Sequence, residues 1–119
     1  SPVDASFVSG TDKPVDRPVR PTIAEGTSIS RPLRLEQMIA ALRKTRGGSV
    51  AVTESNIVRA LGYLCDRGLF VEPTSAVAAA AFSLLLAEGR ITRGEKTFVL
   101  LTGSGLKSTQ TIVDLLGRS

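Results

Sequence analysis

Glycines and hydroxyl side chains alternate directly after an apolar run in the stretch VLLTGSGLK, residues 99–107. The alternating residues are Thr102, Gly103, Ser104 and Gly105. Glycine lets backbone N–H groups approach a ligand closely, and a hydroxyl both donates and accepts hydrogen bonds. The same residue types also form plain turns between a strand and a helix. The spacing is not that of a P-loop, so a ligand-binding turn and a structural turn both stay open on this stretch alone.

Two further segments carry polar side chains that chemistry can use. Glu72 precedes Pro73 at the start of an apolar run, where a carboxylate interacts favourably with a helix dipole or caps the helix. Alternatively, this segment presents Thr74 and Ser75 to a site. The other segment is the loop TIAEGTSIS, which either lines a pocket or only connects two elements, and its polar candidates are Thr22, Glu25 and Thr27.

Composition excludes several classes of function. The sequence has no histidine and one cysteine, Cys65, which rules out histidine-dependent triads, cysteine metal sites and internal disulfides. The net charge is +4, but the basic residues are scattered and there is no tryptophan and one tyrosine, so we expect no nucleic-acid binding. No apolar run reaches the roughly 18–20 residues of a membrane span, and we expect a cytoplasmic protein without a membrane partner.

The elements that position these residues follow from hydrophobic periodicity and from helix start and stop signals. Helices are predicted around residues 32–46, from an N-cap at Thr53 to a stop at Gly68, over the apolar run 75–87, and over residues 109–117. Strands are predicted at SVAV, residues 49–52, and at KTFVLL, residues 96–101. Helices that alternate with short apolar strands predict an α/β fold, with helices packed on a short parallel or mixed sheet. Cys65 is expected to be a small core residue on a helix face.

The prolines divide the sequence into two parts. Residues 1–30 hold four of the six prolines and are expected to be an irregular segment cut from a larger domain. Residues 31–119 are expected to form the α/β portion.

Taken in order, four segments resemble one enzyme family: TIAEG, VAVTESNIVRA, GLFVEPTSAVAAAA and GRITRGEKTFVLLTGSGLK. EPTSA and TGSGLK, about thirty residues apart, are its most specific motifs. The sequence resembles the C-terminal part of threonine synthase, a pyridoxal-phosphate enzyme of fold type II, similar to the tryptophan synthase β subunit. Threonine dehydratases and serine racemases are related alternatives that TGSGLK disfavours. The resemblance implies that residues 31–119 are part of the large, cofactor-binding domain of such an enzyme.

The resemblance also implies roles for individual residues. The Thr102 hydroxyl would face the pyridine nitrogen of the cofactor, and Glu72 would lie near the cofactor pocket. The wall beside the ring would be shaped by Gly103, Ser104 and Gly105. A neutral hydroxyl partner leaves the ring nitrogen less protonated than a carboxylate would. The family converts O-phosphohomoserine and water to threonine and phosphate, a lyase-type step of amino-acid biosynthesis.

The family's Schiff-base lysine and its phosphate-binding loop have no counterpart in this sequence. None of the four lysines lies in a matching motif, so no residue here is expected to be catalytic. The chain is therefore expected to be inactive alone and to bind pyridoxal phosphate weakly or not at all. Its expected partner is the remainder of a parent enzyme, or a second copy through the apolar 75–87 helix. The alternative is a stand-alone, non-catalytic association module with the same fold.

Overall fold

Helices account for all of the regular structure among the described residues of the computed structural model, which are residues 1–15 and 20–117. The α-helices are α1 (Pro2–Val8), α2 (Leu35–Lys44), α3 (Glu54–Cys65), α4 (Pro73–Ala87) and α5 (Thr109–Leu116). Short 3₁₀ helices span Glu25–Thr27 and Gly105–Lys107. Within this part of the chain, no helix is both long and apolar enough to cross a membrane.

The described residues fall into two units. Unit 1 comprises those of Ser1–Pro21 and Gly26–Ala51, and unit 2 comprises those of Thr22–Glu25 and Val52–Ser119. Unit 1 thus crosses the expected boundary after residue 30. Within it α1 packs against α2. The prolines predict irregular structure over this stretch, but α1 forms there. Pro2 lies in the first helical turn, where a backbone N–H has no partner within the helix, so proline costs no hydrogen bond.

The core of unit 2 forms where α3 packs against α4. Its buried side chains come from both helices, from the segment between them, from α5 and from the Thr22–Glu25 segment ahead of α2: Ala24, Ile57, Ala60, Leu61, Leu64, Val71, Ala76, Ala80 and Ile112. The Cys65 side chain packs against this cluster, and burial, with a smaller contribution from the Asp66 carboxylate, raises the pKa of its thiol. The core therefore contains small aliphatic side chains on α4 and larger ones on α3.

The local signals at the ends of α3 are confirmed. The Thr53 hydroxyl accepts the Asn56 N–H at 3.2 Å, and the Asn56 side chain accepts the Thr53 N–H at 3.2 Å, which completes a capping box. At the other end Gly68 adopts a φ of 78°, a left-handed conformation that favours glycine and stops the helix.

The predicted α/β fold is wrong for the residues that the structure describes, which contain no strand. Their β-type pairing is an isolated antiparallel bridge between Val71 and Ser104. Residues 96–101, predicted to be a buried strand, leave Phe98 97% and Leu100 77% exposed. An apolar run indicates a tendency to be buried in a sheet, but a strand also requires a neighbour with which to share a hydrogen-bond ladder. Neither this segment nor residues 49–52 finds such a neighbour here.

Candidate functional site

The two motifs singled out in the sequence meet at the start of α4. The backbone N–H of Glu72 donates to the Gly103 carbonyl at 3.1 Å, and the Gly105 N–H donates to the Phe70 carbonyl at 3.0 Å. These two bonds flank the bridge between Val71 and Ser104. The glycine-rich turn is thus held along the segment that leads into α4.

A buried hydroxyl joins the turn to the first turn of α4. The Ser75 Oγ accepts the Gly103 N–H at 2.8 Å and lies 3.3 Å from the Gly103 carbonyl oxygen. It also lies 3.4 Å from the Thr102 Oγ1. Ser75 is 2% exposed, whereas Thr102 is exposed. The pair therefore connects the hydroxyl of a buried residue to the hydroxyl of an exposed one.

The Glu72 side chain lies against Gly103. Glu72 is half-buried and occupies the N-cap position of α4, but its carboxylate makes no capping hydrogen bond. A Cβ at residue 103 would overlap the Glu72 carboxyl group, so this contact requires glycine. Side-chain capping, one of the roles expected of Glu72, is therefore absent, and its carboxyl group lies beside the turn.

Gly105 and Ser104 have structural tasks in the same turn. Gly105 is buried, and a Cβ there would lie 2.9 Å from the Phe70 ring and 3.0 Å from the Ile112 side chain. The Ser104 hydroxyl accepts the Leu106 N–H at 3.3 Å and so caps the short 3₁₀ helix. Ser104 and Gly105, the second half of the turn, therefore cap the 3₁₀ helix and pack against its neighbours. Thr102, in the first half, is an exposed residue.

The loop candidates upstream divide between the two units. The Thr22 hydroxyl accepts the Ala24 N–H at 3.1 Å, which uses it in a local turn. The Ile23 N–H donates to the Glu54 carboxylate at 3.0 Å, and Ala24 is fully buried in the core of unit 2. Glu25 belongs to unit 2 and Thr27 to unit 1. The structure gives this loop a connecting and packing role.

Sequence reasoning named Glu72, Thr102, Gly103 and Ser104, and the structure brings all four together at one turn. Ser75 was considered only as a residue that α4 presents to a site, and its contacts place it at the centre of the turn. Its signal in the sequence is a hydroxyl three residues after Glu72, in a mostly apolar helix whose other hydroxyl residues are Thr74 and Ser83. What this arrangement offers chemically is one exposed hydroxyl with a half-buried carboxylate nearby. That set of donors and acceptors fits the nitrogen edge of a pyridine ring, which either accepts one hydrogen bond or, when protonated, donates one.

The sequence matches known proteins over most of its length. The family model for pyridoxal-phosphate dependent enzymes matches residues 1–103, which include Glu72, Ser75 and Thr102. Threonine synthase of Methanocaldococcus jannaschii is 39% identical over 87 residues, which are 72% of this chain and 22% of that protein. Threonine synthase of Methanosarcina acetivorans is 33% identical over 95 residues, covering 79% of this chain and 24% of the relative.

A plant relative is similar to this chain over a comparable length. Threonine synthase 2, chloroplastic, of Arabidopsis thaliana is 31% identical over 93 residues, covering 78% of this chain and 18% of that protein. The chain thus spans about a fifth of the length of the curated relatives it matches. The match over residues 1–103 shows that the chain belongs to the family of pyridoxal-phosphate dependent enzymes.

Proposed function

We propose that this chain supplies the wall that faces the ring nitrogen of pyridoxal phosphate in a threonine-synthase-like enzyme. The observation that carries the proposal is the exposed residue Thr102 on a turn that contacts Glu72 and Ser75. When bound, the cofactor withdraws electrons from the amino acid on which the enzyme acts. The residues of this chain contact the nitrogen edge of the ring and hold it against the glycine-rich turn.

Each residue of the wall has a distinct task in this proposal. Thr102 provides the polar contact to the ring nitrogen. Gly103 has no side chain and so leaves room for the Glu72 carboxyl group to lie against the turn. Ser104 and Gly105 fold the chain away from the ring into the 3₁₀ helix. None of these side chains is a nucleophile for the cofactor aldehyde, and we propose that catalysis needs groups beyond this chain.

Binding of pyridoxine 5′-phosphate to the chain tests the wall directly. This analogue keeps the ring nitrogen and the phosphate but lacks the aldehyde, so it forms no adduct with surface lysines. We expect weak binding, on the order of 1 mM, with NMR shifts centred on Thr102, Gly103 and Glu72. Replacing Thr102 by valine keeps the shape of the side chain and removes its hydroxyl. It should weaken binding about threefold to tenfold, the value of one neutral hydrogen bond.

Inorganic phosphate is the matched control ligand, because it has the anionic group without the ring. Shifts that follow phosphate alone, or that spread over the basic surface and spare Thr102, would contradict the proposal. A second assay adds pyridoxal phosphate and O-phosphohomoserine to the chain and measures released phosphate. We expect none above the reaction without protein, and turnover would refute the proposed inactivity of the chain alone.

An association role is the second candidate, and the apolar side chains of α4 favour it. Along residues 77–86 this helix carries half-buried apolar side chains. We propose that α4, over residues 75–87, pairs with a second copy of this chain when no other part of an enzyme covers it. A helix that is apolar on all sides is typical of one buried on several faces.

Sedimentation velocity over a hundredfold range of concentration measures this association. We expect the average mass to rise with concentration. The double variant Phe98→Ser/Leu100→Ser should associate as the unmodified chain does, because these positions lie outside α4. A monomer at every concentration would exclude self-association, and a monomeric double variant would move the contact to residues 96–101.

A further inference from the structure

We propose that Ser75 is a positioning residue of this site, whose buried hydroxyl fixes the Thr102–Gly103 peptide and turns the Thr102 hydroxyl proton outward. The inference rests on the proposed function only in naming a pyridine nitrogen as the group that receives this proton. The fixing of the Thr102–Gly103 peptide by Ser75 rests on contacts within unit 2 alone.

The first step is the fixed position of the Ser75 oxygen. Ser75 lies in the first turn of α4, is 2% exposed, and accepts the Gly103 N–H at 2.8 Å. A buried backbone N–H without a partner costs about 1–3 kcal/mol, so this bond holds the turn against the helix. The oxygen retains a second lone pair and one proton for further bonds.

The second step is the direction of the Ser75 proton. Two acceptors lie within reach, the Gly103 carbonyl oxygen at 3.3 Å and the Thr102 Oγ1 at 3.4 Å. The carbonyl already accepts the Glu72 N–H at 3.1 Å, which leaves it one lone pair for the Ser75 proton, whereas the Thr102 hydroxyl oxygen has two. Donation to Thr102 creates a chain of bonds from the Gly103 N–H through Ser75 to Thr102. In such a chain each bond polarises and strengthens the next.

The third step is the consequence for Thr102. Once its oxygen accepts from Ser75, its own proton points away from α4 and towards the exposed side of the turn. A hydroxyl held in this way donates to an unprotonated nitrogen and is a poor partner for a protonated one. Ser75 thereby selects the neutral form of a pyridine ring at this position, although it does not touch the ring.

NMR spectroscopy of the chain without cofactor tests the positioning. In the unmodified chain the Gly103 amide should exchange slowly with solvent, although it lies in a turn, and Thr102 should show one χ1 rotamer in its scalar couplings. In the Ser75→Ala variant Gly103 should exchange about fivefold to tenfold faster, and the Thr102 couplings should average over rotamers. Ser83→Ala is the matched control on the same helix, because the exposed Ser83 hydroxyl donates only to the Ala79 carbonyl at 3.1 Å. It should change neither readout.

Three results would overturn the inference. The first is an unprotected Gly103 amide in the unmodified chain, a measurement that does not depend on how well any variant folds. The second is faster exchange in Ser75→Ala spread evenly over unit 2, which shows general destabilisation instead of local positioning. The third is an unchanged affinity of Ser75→Ala for pyridoxine 5′-phosphate, where we expect a loss of at least about threefold. If the unmodified chain fails to bind that probe, the proposed function falls, and the Gly103 and Thr102 readouts still decide the role of Ser75.

Discussion

Replacing Leu61 by alanine is expected to lower the free energy of unfolding of unit 2 by about 2–5 kcal/mol. Leu61 is fully buried and belongs to the cluster that joins α3 to α4. The same cluster includes Ala76 and Ala80 from α4, and alanine has no side-chain torsion through which it can refill a cavity. The cost should therefore lie towards the upper part of that range, which is large compared with the whole stability of a small domain.

Denaturant unfolding followed by circular dichroism measures the effect, with Leu106→Ala as the control. Leu106 lies in the same unit and is 75% exposed, so its truncation should change stability by no more than about 0.5 kcal/mol. Equal losses in the two variants would contradict the assignment of the core to the contact between α3 and α4.

Local signals in the sequence predict α2 to α5 well, but they miss α1. The capping box at Thr53 and the left-handed Gly68 involve residues at most a few positions apart, so the sequence alone specifies them. The prediction of a sheet was wrong because a strand forms only beside a neighbouring strand. Residues 96–101 have the apolar character of a buried strand, but strand formation requires a second backbone at hydrogen-bonding distance, and composition does not indicate whether one is present. Phe98 is 97% exposed as a result.

The sequence singles out residues for the candidate site but does not predict their contacts with one another. The motifs EPTSA and TGSGLK identified Glu72, Thr102 and Gly103 as a group, and the cofactor came from a family resemblance that the match over residues 1–103 supports. The contact of Ser75 with Gly103 joins residues 28 positions apart. No helical or strand period links such positions, so only the packed fold reveals that Ser75 holds the turn.

Gly103→Ala should have the second effect, a loss of about 1 kcal/mol in the free energy of unfolding of unit 2, because the obstacle to the new Cβ is the end of a flexible side chain. The added Cβ would overlap the Glu72 carboxyl group, and the Gly103 backbone has little freedom to retreat. Its N–H is bound to Ser75 at 2.8 Å, and its carbonyl accepts the Glu72 N–H at 3.1 Å. The side chain of Glu72 must therefore rotate out of its half-buried position, or the turn must separate from α4.

A double-mutant cycle with Glu72→Ala distinguishes this contact from a general intolerance of the turn. In the Glu72→Ala background the space over residue 103 is open, and Gly103→Ala should then cost at most about 0.5 kcal/mol. Gly105→Ala is the matched control, because the obstacles to a Cβ there are Phe70 and Ile112, which Glu72→Ala leaves in place. Its cost should be the same in both backgrounds. If Glu72→Ala relieves neither glycine substitution, the Glu72 carboxyl group does not lie against Gly103. Relief of Gly103→Ala alone supports that contact, and with it the placement of a carboxylate beside the glycine-rich turn that carries Thr102.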